Sequence, residues 1–230
     1  MKETIRLIYQ DKNLLVVNKP AGLPVYKIQG DGLMQKLIKR FSILKEVGRS
    51  PRYGLIHRLD KETSGLVLIA KNNQALSFFQ QQFQTRKVEK KYLALVRGHL
   101  VLKEGSIQTL IGRSKKDFRK QKVFLPGSPG ASQQREAVTY YKVIQEFSGF
   151  SLVELSPKTG RRHQLRVHLA WKQHPIVGDK RYGFKQQSSV KYLKHQFLHA
   201  FYLKIKLMNG EEKEFILPLP DQLKKVLSCL

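Results

Sequence analysis

The run Gly65-Leu66-Val67-Leu68-Ile69-Ala70 constrains the fold most, because it is continuously apolar and rich in branched residues. A half-exposed strand would alternate apolar and polar side chains. This one offers no polar face, so it reads as a strand buried on both sides, central in a sheet that other layers cover. Shorter strand-like segments surround it. Residues 5–9 and 14–18, separated by Asp11-Lys12-Asn13, predict an edge hairpin. Residues 92–96, 106–111, 122–125, 137–143 and 150–155 continue the pattern. Residues 201–207 and 213–217 flank Met208-Asn209-Gly210, where Asn-Gly is a strong hairpin signal.

Helices are fewer. Leu33, Leu37, Ile38 and Phe41 recur at helical spacing, and so do Leu76, Phe79 and Phe83, with Phe78 widening the stripe and Asn72 or Asn73 able to cap it. Residues 161–171 could begin as a strand or open a helix after the Thr159-Gly160 turn, of which the helix is favoured, and a short helix is expected after Pro220. No fixed-period repeat interrupts this order, and the Gly127-Ser128-Pro129-Gly130-Ala131-Ser132 segment reads as an internal loop. The expected fold class is α+β, with residues 1–230 forming one domain around an extended, mostly antiparallel mixed sheet with flanking helices and loops.

Charge narrows the function. Forty-three Lys and Arg oppose 17 Asp and Glu, a formal net charge of +26. Self-repulsion on that scale is relieved most easily by a polyanion, and nucleic acid is the leading partner, ahead of an anionic membrane or a merely solvated basic surface. The only cysteine, Cys229, excludes an internal disulfide framework and a multi-cysteine zinc site, and fits a reducing, cytoplasmic setting. Apolar runs fall far short of the roughly 20 residues that span a bilayer, and a polar N-terminus disfavours secretion, so no membrane association is expected. High charge and the absence of heptads favour a monomer.

The motifs exclude more than they assign. Acidic residues are scattered, His163 and His168 lack zinc-site spacing, and no Walker loop, dinucleotide fingerprint or serine-hydrolase elbow occurs, so neither metal nor nucleotide cofactor is indicated. Asp60 stands out instead, within Leu55-Ile56-His57-Arg58-Leu59-Asp60-Lys61-Glu62-Thr63-Ser64-Gly65 at the entrance to the buried strand. It reads either as a turn residue paired to Arg58 or Lys61, or as a carboxylate able to attack a sugar C1′ or a base carbon. A second basic block, Lys158-Thr159-Gly160-Arg161-Arg162-His163-Gln164-Leu165-Arg166-Val167-His168, offers guanidiniums that pair with carboxylates or grip phosphate. Spacing alone leaves open which Arg does so.

Five ordered blocks settle the choice. Leu14-Leu15-Val16-Val17-Asn18-Lys19-Pro20-Ala21-Gly22-Leu23, His57 through Gly65, Lys90-Lys91-Tyr92-Leu93-Ala94, Thr159 through His168 and His174-Pro175-Ile176-Val177-Gly178-Asp179 occur in sequence across nearly the whole chain. In these blocks the chain closely resembles the RluA family of RNA pseudouridine synthases. The resemblance implies that Asp60 is the catalytic aspartate, which detaches uracil from ribose before the base reattaches through C5. It implies that Tyr92 stacks on the target pyrimidine and takes the C5 proton, that Arg166 pairs with the catalytic carboxylate, and that Arg58 fills the gap left by the flipped nucleotide. His57, Lys90, Lys91, Arg161, Arg162 and His163 are the accompanying RNA-binding residues. The implied architecture is an eight-stranded sheet, and no cofactor or metal is expected because the isomerisation is redox-neutral and consumes no second substrate.

The same resemblance implies a substrate in structured ribosomal or transfer RNA. Fewer than ten residues precede the opening hairpin, so RNA is expected to be gripped by the catalytic domain and not by a separate N-terminal module. The basic runs 86–91 and 113–122 are expected to contribute. The alternative of another class is a non-catalytic RNA-binding protein or RNA chaperone on the same fold. A metal-dependent nuclease ranks behind both.

Overall fold

The computed structural model describes residues 5–27, 30–184 and 190–230. The chain gathers into two compact units, one running up to Lys90 and including Ala200 to Pro218, the other comprising Lys91 to His199 and the segment from Leu219 onward. Among the described residues there are ten strands and four α-helices. The mostly antiparallel α+β expectation holds, with two more strands than the eight implied by resemblance.

In the first unit, β1 (Arg6–Gln10) and β2 (Leu14–Lys19) form the expected edge hairpin. Asp11 closes it by accepting the N–H groups of Asn13 and Leu14 on one carboxylate oxygen, both at 2.7 Å. Next to β2 runs β3 (Ser64–Ala70), antiparallel to it and buried at every position. β9 (Leu198–Lys206) lies beyond β3, and β10 (Glu212–Ile216) pairs antiparallel with β9 across the Asn209-Gly210 turn. The expectation that residues 65–70 lie centrally is therefore met within this unit.

Packing follows from alternation. Leu66 and Leu68 point into one cluster with Leu14, Val16, Leu203 and Phe215, closed by Ala75 and Phe79 of α2 (Asn73–Gln84). Asn72 caps α2 by accepting the Ala75 N–H at 2.8 Å. Val67 and Ile69 face the other way and are equally shut from water. Each such side chain contributes about 1.5–3 kcal/mol relative to exposure. Gly65 is required where β3 begins, since a Cβ there would run into the backbone of Ala200, and its φ of 128° suits glycine alone. The short amphipathic α1 (Leu33–Arg40) and the 3-10 helix at Ser42–Glu46 also belong to this unit.

The second unit is an antiparallel sheet of β4 (Glu89–Arg97), β8 (Phe150–Pro157), β7 (Arg135–Phe147), β5 (Glu104–Arg113) and β6 (Gln121–Phe124) in that spatial order. β4 begins in the first unit, where its residues 89 and 90 lie. α3 (Gln164–Trp171) covers one face, with Leu165 and Leu169 against Ala94, Val96, Val153 and Leu155, and Val167 against Ile111 and Ala137. On the opposite face, Leu223 and Val226 of α4 (Asp221–Leu227) pack on Leu95 and Leu152.

Candidate active site

Asp60 lies in the first unit, on the loop that feeds β3. Its carbonyl accepts the Thr63 N–H at 3.2 Å, and the Lys61 carbonyl accepts the Gly22 N–H at 2.9 Å. The Lys61 carbonyl also receives Lys19 Nζ at 3.0 Å, while the same ammonium donates to the carbonyls of Pro20 and Leu23, each at 2.8 Å. Lys19 is fully buried. A buried ammonium persists only where acceptors replace its water, so this cation ties the end of β2 and the loop after it to the residue beside Asp60. The block Lys19-Pro20-Ala21-Gly22-Leu23 carried no assigned chemistry in the sequence, and immobilising the Asp60 loop is its structural role.

His57 and Arg58, on the same loop, behave differently. His57 is half-buried, stacks on Phe83 with centroids 4.7 Å apart, and accepts the Leu68 N–H on Nε2 at 3.1 Å. Burial, with the charge of Lys90 adding to it, pushes its imidazole down to about 3. The ring is therefore neutral and engaged with β3, unlike a cation reserved for phosphate. Lys90 lies 5.8 Å from the Phe83 ring centroid, and burial lowers its ammonium below the usual lysine range. Arg58 is exposed and donates from Nη1 to the Tyr26 hydroxyl at 3.0 Å.

The remaining site residues fall in the second unit. Tyr92 is on β4, opposite Leu155 of β8, and Lys91 beside it reaches Glu154 at 3.5 Å. Arg166 is on α3 and makes a fork-to-fork pair with Asp179, Nε to Oδ2 at 2.7 Å and Nη2 to Oδ1 at 2.8 Å. Their side chains are 8% and 0% exposed, so the pair is shielded from solvent. Burial alone would push the Asp179 carboxyl up. The hydrogen bonds and charge of Arg166, helped by the N–H groups of Arg181 and Tyr182, outweigh it and hold Asp179 below the usual carboxylate range. The Tyr182 ring lies 5.0 Å from the Arg166 guanidinium carbon, and its hydroxyl meets His163 Nδ1 at 2.8 Å. Asp179 belongs to a matched block but had no role in the sequence reading. Holding Arg166 in one orientation supplies it.

Arg161 donates from Nε to the Glu136 carbonyl at 2.8 Å, whereas Arg162 is exposed. His163 takes a left-handed φ of 57° as the residue before α3. Gln164 then anchors the helix start, its Oε1 accepting from Thr159 Oγ1 and the Arg161 N–H and its Nε2 donating to Val138 O and Thr139 Oγ1. One turn on, the fully buried His168 bonds Thr139 Oγ1 and Thr109 Oγ1, each at 3.0 Å. These contacts lock α3, and with it Arg166, onto β5 and β7.

Burial lowers the His168 imidazole to about 4, which has a testable sign. Below the unfolded value of ~6.5 the unfolded chain takes up a proton that the folded chain refuses, so stability is full above ~6.5 and declines as pH falls toward 4. Between pH 7.5 and 5 the loss from His168 is about 2 kcal/mol. His57 acts in the same direction, but part of its surface meets water and its share is discounted accordingly. Urea midpoints of the parent and His168→Gln at both pH values check this. Parallel pH dependence in the two proteins would remove His168 as the source.

The comparisons with known proteins agree with this picture. Residues 13–171 match the model of a family described as RNA pseudouridylate synthase. A Bacillus subtilis protein named as an uncharacterized RNA pseudouridine synthase is 35% identical over 97% of this chain and 72% of its own. A Borreliella burgdorferi protein named ribosomal large subunit pseudouridine synthase D is 36% identical over 97% of this chain and 68% of its own. Among solved structures, human RNA pseudouridylate synthase domain containing 4 superposes with a TM-score of 0.78 at 30% identity, covering 96% of this chain and 91% of that one. No helix of the described residues is long and apolar enough to cross a membrane. On the matched family model, relatives aligned over 97% of this chain and the shared fold, the chain belongs to the RNA pseudouridylate synthase family, in its RluA branch, and is an RNA pseudouridine synthase.

Proposed function

We propose that this chain isomerises specific uridines in structured ribosomal or transfer RNA, with Asp60 as the catalytic carboxylate and Tyr92 and Arg166 completing the catalytic set. The observation that carries the Asp60 assignment is its mounting, a half-buried carboxylate on a loop that a fully buried Lys19 fixes to the end of β2. A nucleophile or proton-handling group gains from being held in one geometry before substrate arrives. The reaction breaks the N1–C1′ bond and forms a C5–C1′ bond, while the C5 hydrogen leaves as a proton and N1 ends protonated. Atoms and electrons balance without a further reactant.

The target uridine must leave its stack, at a cost of a few kcal/mol that loops and bulges reduce. Arg58, Arg161, Arg162, Lys90 and Lys91 serve the phosphates and the vacated position, and His163 orients the start of α3. We propose a monomer acting in the cytoplasm. The name of the Borreliella relative makes large-subunit ribosomal RNA the first substrate to test.

Tritium release from transcribed ribosomal RNA labelled at uridine C5 tests this reading. Release by the parent supports isomerisation. RNA binding without release from ribosomal or transfer transcripts favours a non-catalytic RNA-binding protein. Tyr92→Phe separates stacking from proton transfer, because phenylalanine keeps the aromatic face and loses only the hydroxyl. RNA affinity is expected to stay within about threefold, and kcat to fall by about 10²-fold or more, the scale of general-base catalysis. A fully active Tyr92→Phe would remove the hydroxyl from the mechanism.

A further inference from the structure

A recess of about 260 Å3 in the first unit is lined by Tyr26, Arg49, Arg52, Tyr53, His57 and Arg58. Three guanidiniums around so small a volume repel one another, and among the described residues none of them is paired with a carboxylate. All three arginines are exposed. An aromatic ring orders two of them instead. The guanidinium carbons of Arg52 and Arg58 lie 5.4 and 5.3 Å from the Tyr26 ring centroid, and Arg58 also donates to the Tyr26 hydroxyl. Such stacking orients cations without neutralising them.

The loop beneath is built, not slack. The Arg49 carbonyl accepts the N–H groups of Arg52 and Tyr53 at 3.0 and 2.7 Å, and the Arg52 carbonyl accepts that of Leu55 at 3.0 Å. Asn73, in the first turn of α2, accepts the Gly48 N–H at 2.7 Å and donates to the Glu46 carbonyl at 3.2 Å. Gly54 accepts the Ala70 N–H at 2.7 Å, and a Cβ at this position would run into the Ala70 carbonyl. Tyr53 adopts a left-handed φ of 48°, uncommon for a residue with a side chain. Among the described residues no other ring or cation is stacked on it.

We propose that this recess is an RNA subsite in which Arg49 and Arg52 grip one phosphodiester and Tyr53 stacks beneath one unpaired base of the strand flanking the target. The inference rests on the RNA-modifying reading above and adds a contact to it. Guanidinium forks match phosphate oxygens in bidentate geometry. The volume lies below the ~300–1,000 Å3 of small-molecule sites, which suits a single nucleotide better than a folded cofactor. Arg58 lines the recess and precedes Asp60 by two positions, so a nucleotide held here lies close along the chain to the catalytic loop.

The test is equilibrium binding of a fluorescein-labelled ten-nucleotide oligouridylate to the full chain across a KCl series. Arg49→Gln/Arg52→Gln is expected to flatten the dependence of log affinity on log salt by about 0.7, the contribution of one phosphate on a single strand. Tyr53→Asn, which tolerates the left-handed backbone, is expected to weaken binding about fivefold or more at every salt concentration with the slope unchanged. Arg49→Lys/Arg52→Lys keeps the charges and is expected to keep the slope. A Gln variant with the parent slope, a Tyr53→Asn with parent affinity, or a Lys variant that loses the slope would each overturn the subsite. Tritium release by the parent is scored separately. Release by a parent whose variants bind as it does sinks the subsite alone, whereas no release sinks the isomerase reading and leaves the salt slopes to decide the subsite.

Discussion

Asp60→Asn is expected to lower kcat for tritium release by about 10³-fold or more, while affinity for the same RNA stays within about threefold or tightens. The substitution is nearly isosteric, so the half-buried loop, whose Lys61 carbonyl is held by Lys19 Nζ and the Gly22 N–H, should keep its course. What changes is chemistry. An amide cannot act as the carboxylate nucleophile or base, and loss of a nucleophile costs several orders of magnitude in enzymes that depend on one. The electrostatic sign also separates binding from turnover, because deleting a negative charge from a +26 chain cannot weaken its attraction to a polyanion. Turnover within tenfold of the parent would end the assignment of Asp60 as the reacting group. Equal loss of turnover and RNA affinity would instead mean that the loop had been disturbed.

Much of the architecture could be read from local pattern, because most of its determinants are local. The unbroken apolar run at residues 65–70 has to be a covered strand, and β3 is buried throughout. Asn72 caps α2, and Asn209-Gly210 closes the β9–β10 hairpin, at the positions that turn chemistry dictates. The start of α3 was less sharp. Residues 161–171 read as helical, yet the helix begins at Gln164, since His163 adopts a left-handed backbone and the Gln164 side chain folds back onto Thr159 and Arg161.

The support of the site was the part that local pattern could not reveal. Lys19 reaches a carbonyl 42 residues away, and Arg166 finds Asp179 at a separation of 13. Neither distance leaves a periodic trace. The resemblance places His57 among the RNA-binding residues, but its ring is determined by Phe83 and the Leu68 N–H, both remote in sequence. In each case the residue type was visible and its partner was not. The matched blocks to which spacing assigns no chemistry supply Lys19 and Asp179, which hold the Asp60 loop and Arg166 in place.

Asp179→Asn is expected to destabilise the protein by about 3–5 kcal/mol, the cost of removing one member of a buried ion pair. Asparagine retains one carbonyl oxygen, which can still accept the N–H groups of Arg181 and Tyr182 as Oδ1 does now at 2.9 and 3.1 Å. Its amide then replaces Oδ2 and faces Arg166 Nε, so two donors meet where a 2.7 Å charge-assisted hydrogen bond stood. The guanidinium remains 8% exposed at its side chain and loses the Asp179 counter-charge, and both the urea midpoint and the orientation of Arg166 should suffer. Under conditions where the variant stays folded, kcat should fall by about 10-fold or more with KM little changed, because Asp179 acts through Arg166 and not by touching RNA. The double variant Arg166→Met/Asp179→Asn provides the control. It should recover much of the stability, since no buried charge is left without its partner and asparagine Oδ1 still accepts the N–H groups of Arg181 and Tyr182, yet remain inactive. A single Asp179→Asn variant with the parent's midpoint and kcat would show that the fork is dispensable. Recovery of activity by the double variant would remove Arg166 from the catalytic set.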